Sequence, residues 1–449
     1  MAQQDKTMRG RMVLQHILAM VVITAVLYVI RYHVMGSEYT GRSYTETTLL
    51  LGFVLIVAYM AGIVAAHFGL PRITGYLFSG ILFGPSLFGF ATHETVNQLK
   101  VIDGMAVALI ALTAGGEIKL DSLKHIRKPL TWIVAATMLL SFLGVTALVL
   151  IISRWFPLFS GPENFGQWTA VAILLGTIAM ASSPTVVIAV ISETKAKGEV
   201  SELILGTTVI KDMAVVILFA IALSLALIFN DPEATFDFMK IAGAIGEVAL
   251  SLLIGLVLGW LLGLYINRVG REMVLVVLGL CLLVAEIGLN YHLEPLSICL
   301  AAGFYIENFS GTKGDVFIAA MKKLSLPVFA LFFCVIGLEL DLRSLASIWI
   351  ITLVLVAMRA VMVLLGTIAG SKIGNAGNFM QQYGWLGFIS QAGVSIGLAV
   401  TIGRTFPDWG AQLETLIISM VTVHEIIGPI LLKFALDRSG ETEAVTRKQ

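Results

Sequence analysis

Charge is what this chain has least of. Lysine, arginine, aspartate and glutamate make up 13% of its 449 residues, against about 25% in a soluble globular domain. The 29 basic and 29 acidic side chains cancel to a net charge of zero, so nucleic acid finds no electrostatic footing as a partner. Cysteine is nearly absent. Cys281, Cys299 and Cys334 all fall inside apolar runs, which makes them packing residues and leaves the redox compartment open. No nucleophile–base pair or metal-ligand constellation stands outside those runs, so the sequence points to no enzyme and calls for no cofactor.

What is present is hydrophobic: 58% of the chain, in runs that recur from end to end near the ~20 residues a helix needs to cross the hydrocarbon. The 43 glycines suit helices that approach closely or break within a bilayer. The pattern predicts an all-α polytopic membrane protein with fourteen transmembrane helices. They run over 13–32, 45–67, 71–90, 101–118, 130–153, 167–192, 202–229, 240–267, 272–292, 296–309, 323–340, 347–370, 381–404 and 411–436. Lys6, Arg9 and Arg11 imitate a signal peptide, but the apolar run behind them continues for about twenty residues without a small-residue cleavage site, so it reads as a first span. With the N-terminus inside, twenty lysines and arginines fall in cytoplasmic segments and seven in outer ones. A miscounted helix would invert every later loop and erase that bias, so both termini are expected in the cytoplasm.

The fourth span ends in Gly115-Gly116-Glu117-Ile118-Lys119-Leu120-Asp121-Ser122-Leu123, and the eleventh in Gly337-Leu338-Glu339-Leu340-Asp341-Leu342-Arg343-Ser344-Leu345. Five of the nine positions are identical, and the two copies fall on opposite sides of the membrane. Opposite sidedness is what an inverted repeat produces. The division is then 1–44 as an extra N-terminal helix and loop, 45–229 and 272–436 as the two six-helix repeats, 230–271 as a linker helix, and 437–449 as a short tail. Inverted repeats place their sites at the midplane, where equivalent helices are interrupted. Pro184 within Ala181-Ser182-Ser183-Pro184-Thr185 interrupts the sixth span, and Gly393 and Gly397, following Ser390 and Gln391, loosen the thirteenth. Two crossed discontinuous helices are the expectation.

A charge at the bilayer centre costs at least about 2.5–3.5 kcal/mol, so each one needs a reason. Lys211 and Asp212 sit near the middle of the seventh span. A structural ion pair with neighbouring helices would be one reason. The other is that an aspartate facing a water-filled cavity binds either a proton or a bare cation, the minimum chemistry of exchange. Arg359 in the twelfth span cannot discharge itself and needs a permanent partner, for which Glu247 in the eighth is the candidate. Glu286 has no defined role. His424 and Glu425 read as packing or a polar contact between helices, and Gly255, Gly259 and Gly263 as a close-packing face.

Leu70-Pro71-Arg72-Ile73-Thr74-Gly75-Tyr76-Leu77 running on to Gly84-Pro85, the Gly-x-Glu at Glu117, Ser182-Ser183-Pro184-Thr185, Lys211-Asp212, and Glu286 followed by Gly288-Leu289 carry a family resemblance. From about residue 45 to 436 the chain resembles the monovalent cation/proton antiporter superfamily, in particular its sodium/proton and potassium-efflux branch. The resemblance implies a core domain with two crossed broken helices, a separate dimerisation domain, a homodimer, and elevator-like alternating access. It maps the ion and proton carrier to Asp212 and the coordinating polar groups to Ser183 and Thr185, beside Ser182. It also maps the helix-crossing base to Arg359, paired with Glu247 as in electroneutral members. Family members place Asp, Asn or Gln before the carrier, and here Lys211 stands in that position. Potassium-efflux members carry a nucleotide-binding regulatory domain, so gating of that kind would come from a separate subunit.

The leading expectation is exchange of Na+ or K+ for H+ within the lipid bilayer of a bacterial cytoplasmic membrane. Alternatives are a gated channel or transport-dead sensor on the same scaffold, and an anion carrier using Lys211 as the counter-charge.

Overall fold

The computed structural model describes residues 14–26, 29, 42–155, 158–230, 238–291, 293–311, 314–340, 342–391 and 393–443. These are helical nearly throughout, with no strand among the described residues. The helices are α1 (Leu14–Val26), α2 (Arg42–His67), α3 (Arg72–Phe83), α4 (His93–Glu117), α5 (Leu120–Ser153), α6 (Phe165–Ala179), α7 (Pro184–Thr194) and α8 (Glu199–Asn230). Then follow α9 (Phe238–Arg268), α10 (Met273–Tyr291), α11 (Pro295–Phe309), α12 (Gly314–Glu339), α13 (Leu342–Gly374), α14 (Gly377–Tyr383), α15 (Gly393–Thr405) and α16 (Gly410–Ser439). Among the described residues, eight stretches are each long and apolar enough to cross a membrane. The first expected span is seen over Leu14–Val26; its residues 13, 27, 28 and 30–32 lie outside the described ones, as do 444–449 of the tail.

Helix ends depart from the expected bounds for local reasons. Helix α4 starts at His93 rather than near 101 because Thr92 and Thr95 cap it reciprocally. Thr92 Oγ1 accepts from the Thr95 N–H at 3.2 Å, and Thr95 Oγ1 accepts from the Thr92 N–H at 2.9 Å. Such a cap secures a polar first turn that hydropathy alone reads as loop. Helix α3 stops at Phe83 rather than 90, since Pro85 has no amide hydrogen with which to extend it.

Packing sorts the helices into two bundles. Helices α2, α3, α4, α10, α11 and α12 form a panel, with α9 laid along α11; α5–α8 and α13–α16 form a core. The seam between the bundles is narrow: α8 on α9, α7 on α3 and α4, and α16 on α3. Polar contacts pin it at one end. Glu193, in the last turn of α7, accepts from the Arg72 N–H at 2.7 Å, and Lys433 of α16 donates to Gly69 O at 2.8 Å.

Two packings correspond when the expected repeat mates are exchanged: α3 on α12 matches α11 on α4, and α5 on α8 matches α13 on α16. The duplicated motif shows why. Gly337 crosses α3 where a Cβ would run into Leu77 O, and Gly115 crosses α11 where a Cβ would run into Leu300 O. The first glycine of each copy is therefore where two backbones touch. Gly255 and Gly259 likewise set α9 against the Ile298 and Ala302 carbonyls of α11. The side chain of Glu117 and all of Asp341 lie outside the described residues.

Candidate ion site

The sixth expected span is two helices. Helix α6 ends at Ala179 and α7 begins at Pro184, which has no N–H to lose at the first helical position and comes with its φ preset. Ser183 caps α7, its Oγ accepting from the Val186 N–H at 3.2 Å, and Thr185 is buried in the first turn. The thirteenth span is broken too. After α14 comes a 3-10 turn over Gly384–Phe388, then non-helical residues through Gln391, and α15 opens at Gly393. Ala392 between them lies outside the described residues.

The two breaks are bonded to each other. The Ser183 N–H donates to Ser390 O at 2.8 Å, Ser182 Oγ donates to Phe388 O at 3.0 Å, and Gln391 Nε2 donates to Ile178 O at 2.8 Å. Sequence placed Gln391 at the break; its role as a stitch across to α6 comes from the fold.

Arg359 completes the crossing. It is fully buried in α13 and donates to Ala179 O, Ala181 O, Phe388 O and Ile389 O at 3.0, 2.5, 3.1 and 2.8 Å. A broken helix leaves end carbonyls without intrahelical donors and gathers partial negative charge at its C-terminal end. The guanidinium, with five donors in one plane, serves both ends at once. This corrects the expected Glu247–Arg359 ion pair. Glu247 is exposed on α9, which packs on α11 and α8, and the partners of Arg359 are backbone dipoles.

Lys211 and Asp212 are both buried in α8 and diverge. Lys211 Nζ donates to Ser182 Oγ at 2.8 Å and stands 5.5 Å from the centroid of the Phe388 ring. Its ammonium is thus directed at the first break. Asp212 Oδ2 is buried and accepts no hydrogen bond, and among the described residues no hydrogen bond joins Asp212 to Ser182, Ser183 or Thr185. The fold therefore unites Ser182, Ser183, Lys211, Gln391 and Arg359 in one bonded crossing, with Asp212 one residue beyond it.

One acidic residue escaped the sequence reading. Glu294, which precedes α11, has Oε1 buried without a hydrogen bond and its N–H bonded to Ser251 of α9, the helix that packs on α8. A Glu-Pro step at the head of an unusually short span was the available signal, since proline opens a helix and places the acid at its positive end. Glu286, by contrast, is exposed on α10. His424 and Glu425 are buried in α16 with neither carboxylate oxygen of Glu425 hydrogen-bonded, which fits the packing half of the expectation. Among the described residues no cluster of three or more His, Cys, Asp or Glu is arranged to hold a resident metal.

Comparison with known proteins agrees with this architecture. A Bacillus cereus protein described as the probable Na+/H+ antiporter GerT is 24% identical over 355 residues, covering 77% of this chain and 84% of its own. The Na+/H+ antiporter of Enterococcus hirae is 22% identical over 394 residues, 86% of this chain and 97% of its own. GerN of Bacillus cereus, a Na+/H+-K+ antiporter, is 25% identical over 394 residues, 86% and 95%. The solved structure of the sodium proton antiporter MjNhaP1 from Methanocaldococcus jannaschii superposes with a TM-score of 0.66 at 17% identity, covering 90% of this chain and 99% of that one, which shows a shared fold. The sequence model for the transmembrane region of sodium/hydrogen exchangers matches residues 51–438. With its paired broken helices and two-bundle packing, this integral multi-pass membrane chain belongs to the sodium/hydrogen exchanger family.

Proposed function

We propose that the protein exchanges a monovalent cation, Na+ or K+, for protons across a bacterial cytoplasmic membrane, with Asp212 as the carrier. The observation that carries this reading is one side chain. Asp212 is buried midway along α8 with Oδ2 unbonded. A bare carboxylate in such surroundings is costly until something neutralises it. A proton and a naked cation both do so, and each excludes the other. The two neighbouring positive charges do not substitute for them, because Lys211 is bonded to Ser182 and Arg359 to four carbonyls. The relatives described as Na+/H+ and Na+/H+-K+ antiporters support this reading.

Movement of the core bundle along the panel would carry the loaded aspartate from one face to the other. The narrow seam supports an elevator of this kind, since few contacts have to be exchanged. In this scheme the panel also joins two copies into a homodimer, and 45–229 and 272–436 act as the repeats that give the two end states.

The test is proton flux in proteoliposomes under imposed Na+, K+ and Li+ gradients, with and without a membrane potential. Wild-type protein is expected to move protons only against a cation gradient. Asp212→Asn keeps the shape, removes the charge and is expected to abolish coupled flux; coupled flux in that variant would remove the carrier assignment. Uncoupled current would instead identify a channel, and no flux of any ion a sensor.

A further inference from the structure

We infer that Glu294 is a second acidic group of the ion site, carried by the panel and presented to Asp212 across the seam in this conformation. The inference rests on the carrier reading above and adds a second ligand to it.

Helix α11 has 15 residues, about 22 Å of helix, which falls short of the ~30 Å hydrocarbon layer. One end therefore stops inside the membrane. Glu294 is the residue at its N-terminal end, with Pro295 opening the helix. The Glu294 N–H donates to Ser251 Oγ of α9 at 3.1 Å, and Ser297 Oγ donates to Glu294 Oε2 at 2.5 Å. Glu294 Oε1 is left buried and unbonded. Ser251 ties the backbone of Glu294 to α9, the panel-side helix that packs on α8, and α8 carries Asp212.

Both carboxylates keep one buried oxygen without a hydrogen bond, and the helix whose Ser251 holds the Glu294 turn packs on the helix that bears Asp212. The nearby positive groups are engaged elsewhere: Lys211 donates to Ser182, and Arg359 donates to the carbonyls of both breaks. Brought together where α9 packs on α8, two acids that each keep a buried, unbonded oxygen cannot both stay ionised without a counter-charge. They therefore form a site that holds a proton or trades it for a cation.

The division between bundles makes the site one-sided. If the core moves, Asp212 moves with α8 while Glu294 stays with the panel, so the pair is parted in the opposite state. Glu294 then strengthens cation binding, and proton competition against it, from one aqueous face only.

Glu294→Gln tests this by transport in proteoliposomes sorted by orientation. The expected result is a rise of about tenfold in cation KM on one face, equivalent to one decade of affinity, with a changed pH profile on that face. KM on the other face should stay within about twofold. Glu294→Asp, which keeps the charge on a shorter arm, should raise the same-face KM less, and it serves in place of Glu294→Gln if that protein folds poorly. Unchanged KM on both faces, or an equal change on both, overturns the inference. Loss of coupled flux in Asp212→Asn alongside an unaltered Glu294→Gln would sink the role of Glu294 alone. Coupled flux surviving in Asp212→Asn would sink the carrier reading itself.

Discussion

Replacing Arg359 by methionine removes the one side chain that serves both helix breaks, and the size of the loss follows from its bonds. Four carbonyls, those of Ala179, Ala181, Phe388 and Ile389, would lose their donor in a fully buried position. A buried acceptor left bare costs about 1–3 kcal/mol, so the gross loss is about 4–12 kcal/mol. Removing the guanidinium also relieves a desolvation penalty of several kcal/mol, which leaves a net destabilisation of about 3–5 kcal/mol. That is a large share of the roughly 5–15 kcal/mol by which folded chains exceed their unfolded states. In detergent the apparent melting temperature of Arg359→Met should fall by about 5–10 °C. The change can be followed by the fluorescence of the seven tryptophans. Arg359→Lys should fall between, because an ammonium offers three donors instead of a planar fork. Glu247→Gln should melt within about 0.5 kcal/mol of wild type, as exposed substitutions do. Equal losses in Glu247→Gln and Arg359→Met would restore the ion pair and refute the carbonyl clamp, and a wild-type melt for Arg359→Met would refute it outright.

Other expectations concern separate parts of the fold. Gly337→Val puts branched carbons where a Cβ already meets Leu77 O and the Gly80 backbone, so folded yield by size-exclusion chromatography should collapse, whereas Gly52→Val on an open face of α2 should not reduce it. Lys211→Gln keeps a donor for Ser182 while removing the charge; the fold should survive and the pH profile of exchange should move, and an unaltered profile would make Lys211 purely structural. Glu441, beyond the end of α16, accepts from the Val200 and Ser201 N–H groups at 2.8 Å each and so caps α8. Glu441→Ala should cost about 1 kcal/mol and speed amide exchange in the first turn of α8, with exchange elsewhere in the core bundle as the internal reference.

Much of the architecture was legible because it is one-dimensional. Span length follows from the thickness of hydrocarbon, and proline at 184 breaks a helix wherever that helix lies. The duplicated Gly-x-Glu ends were legible because each begins with a glycine at which two helix backbones touch, Gly115 and Gly337. Arg359 is answered by the carbonyls of the two breaks and not by an opposite formal charge, and backbone carbonyls are invisible in a list of side chains. Glu294 stands between spans, where an acid is unremarkable until its carboxyl oxygen is seen to be buried and unbonded.

Apolar periodicity, charge placement and one proline were enough to establish the membrane class, the all-helical architecture, the two interruptions and an aspartate midway along an apolar helix. Each of these is a local property of the chain. Only the packed molecule decided which way Lys211 points, what Arg359 holds and which buried carboxyl oxygens are left unbonded. Those outcomes depend on groups far apart in sequence that meet where two broken helices cross and where two bundles touch.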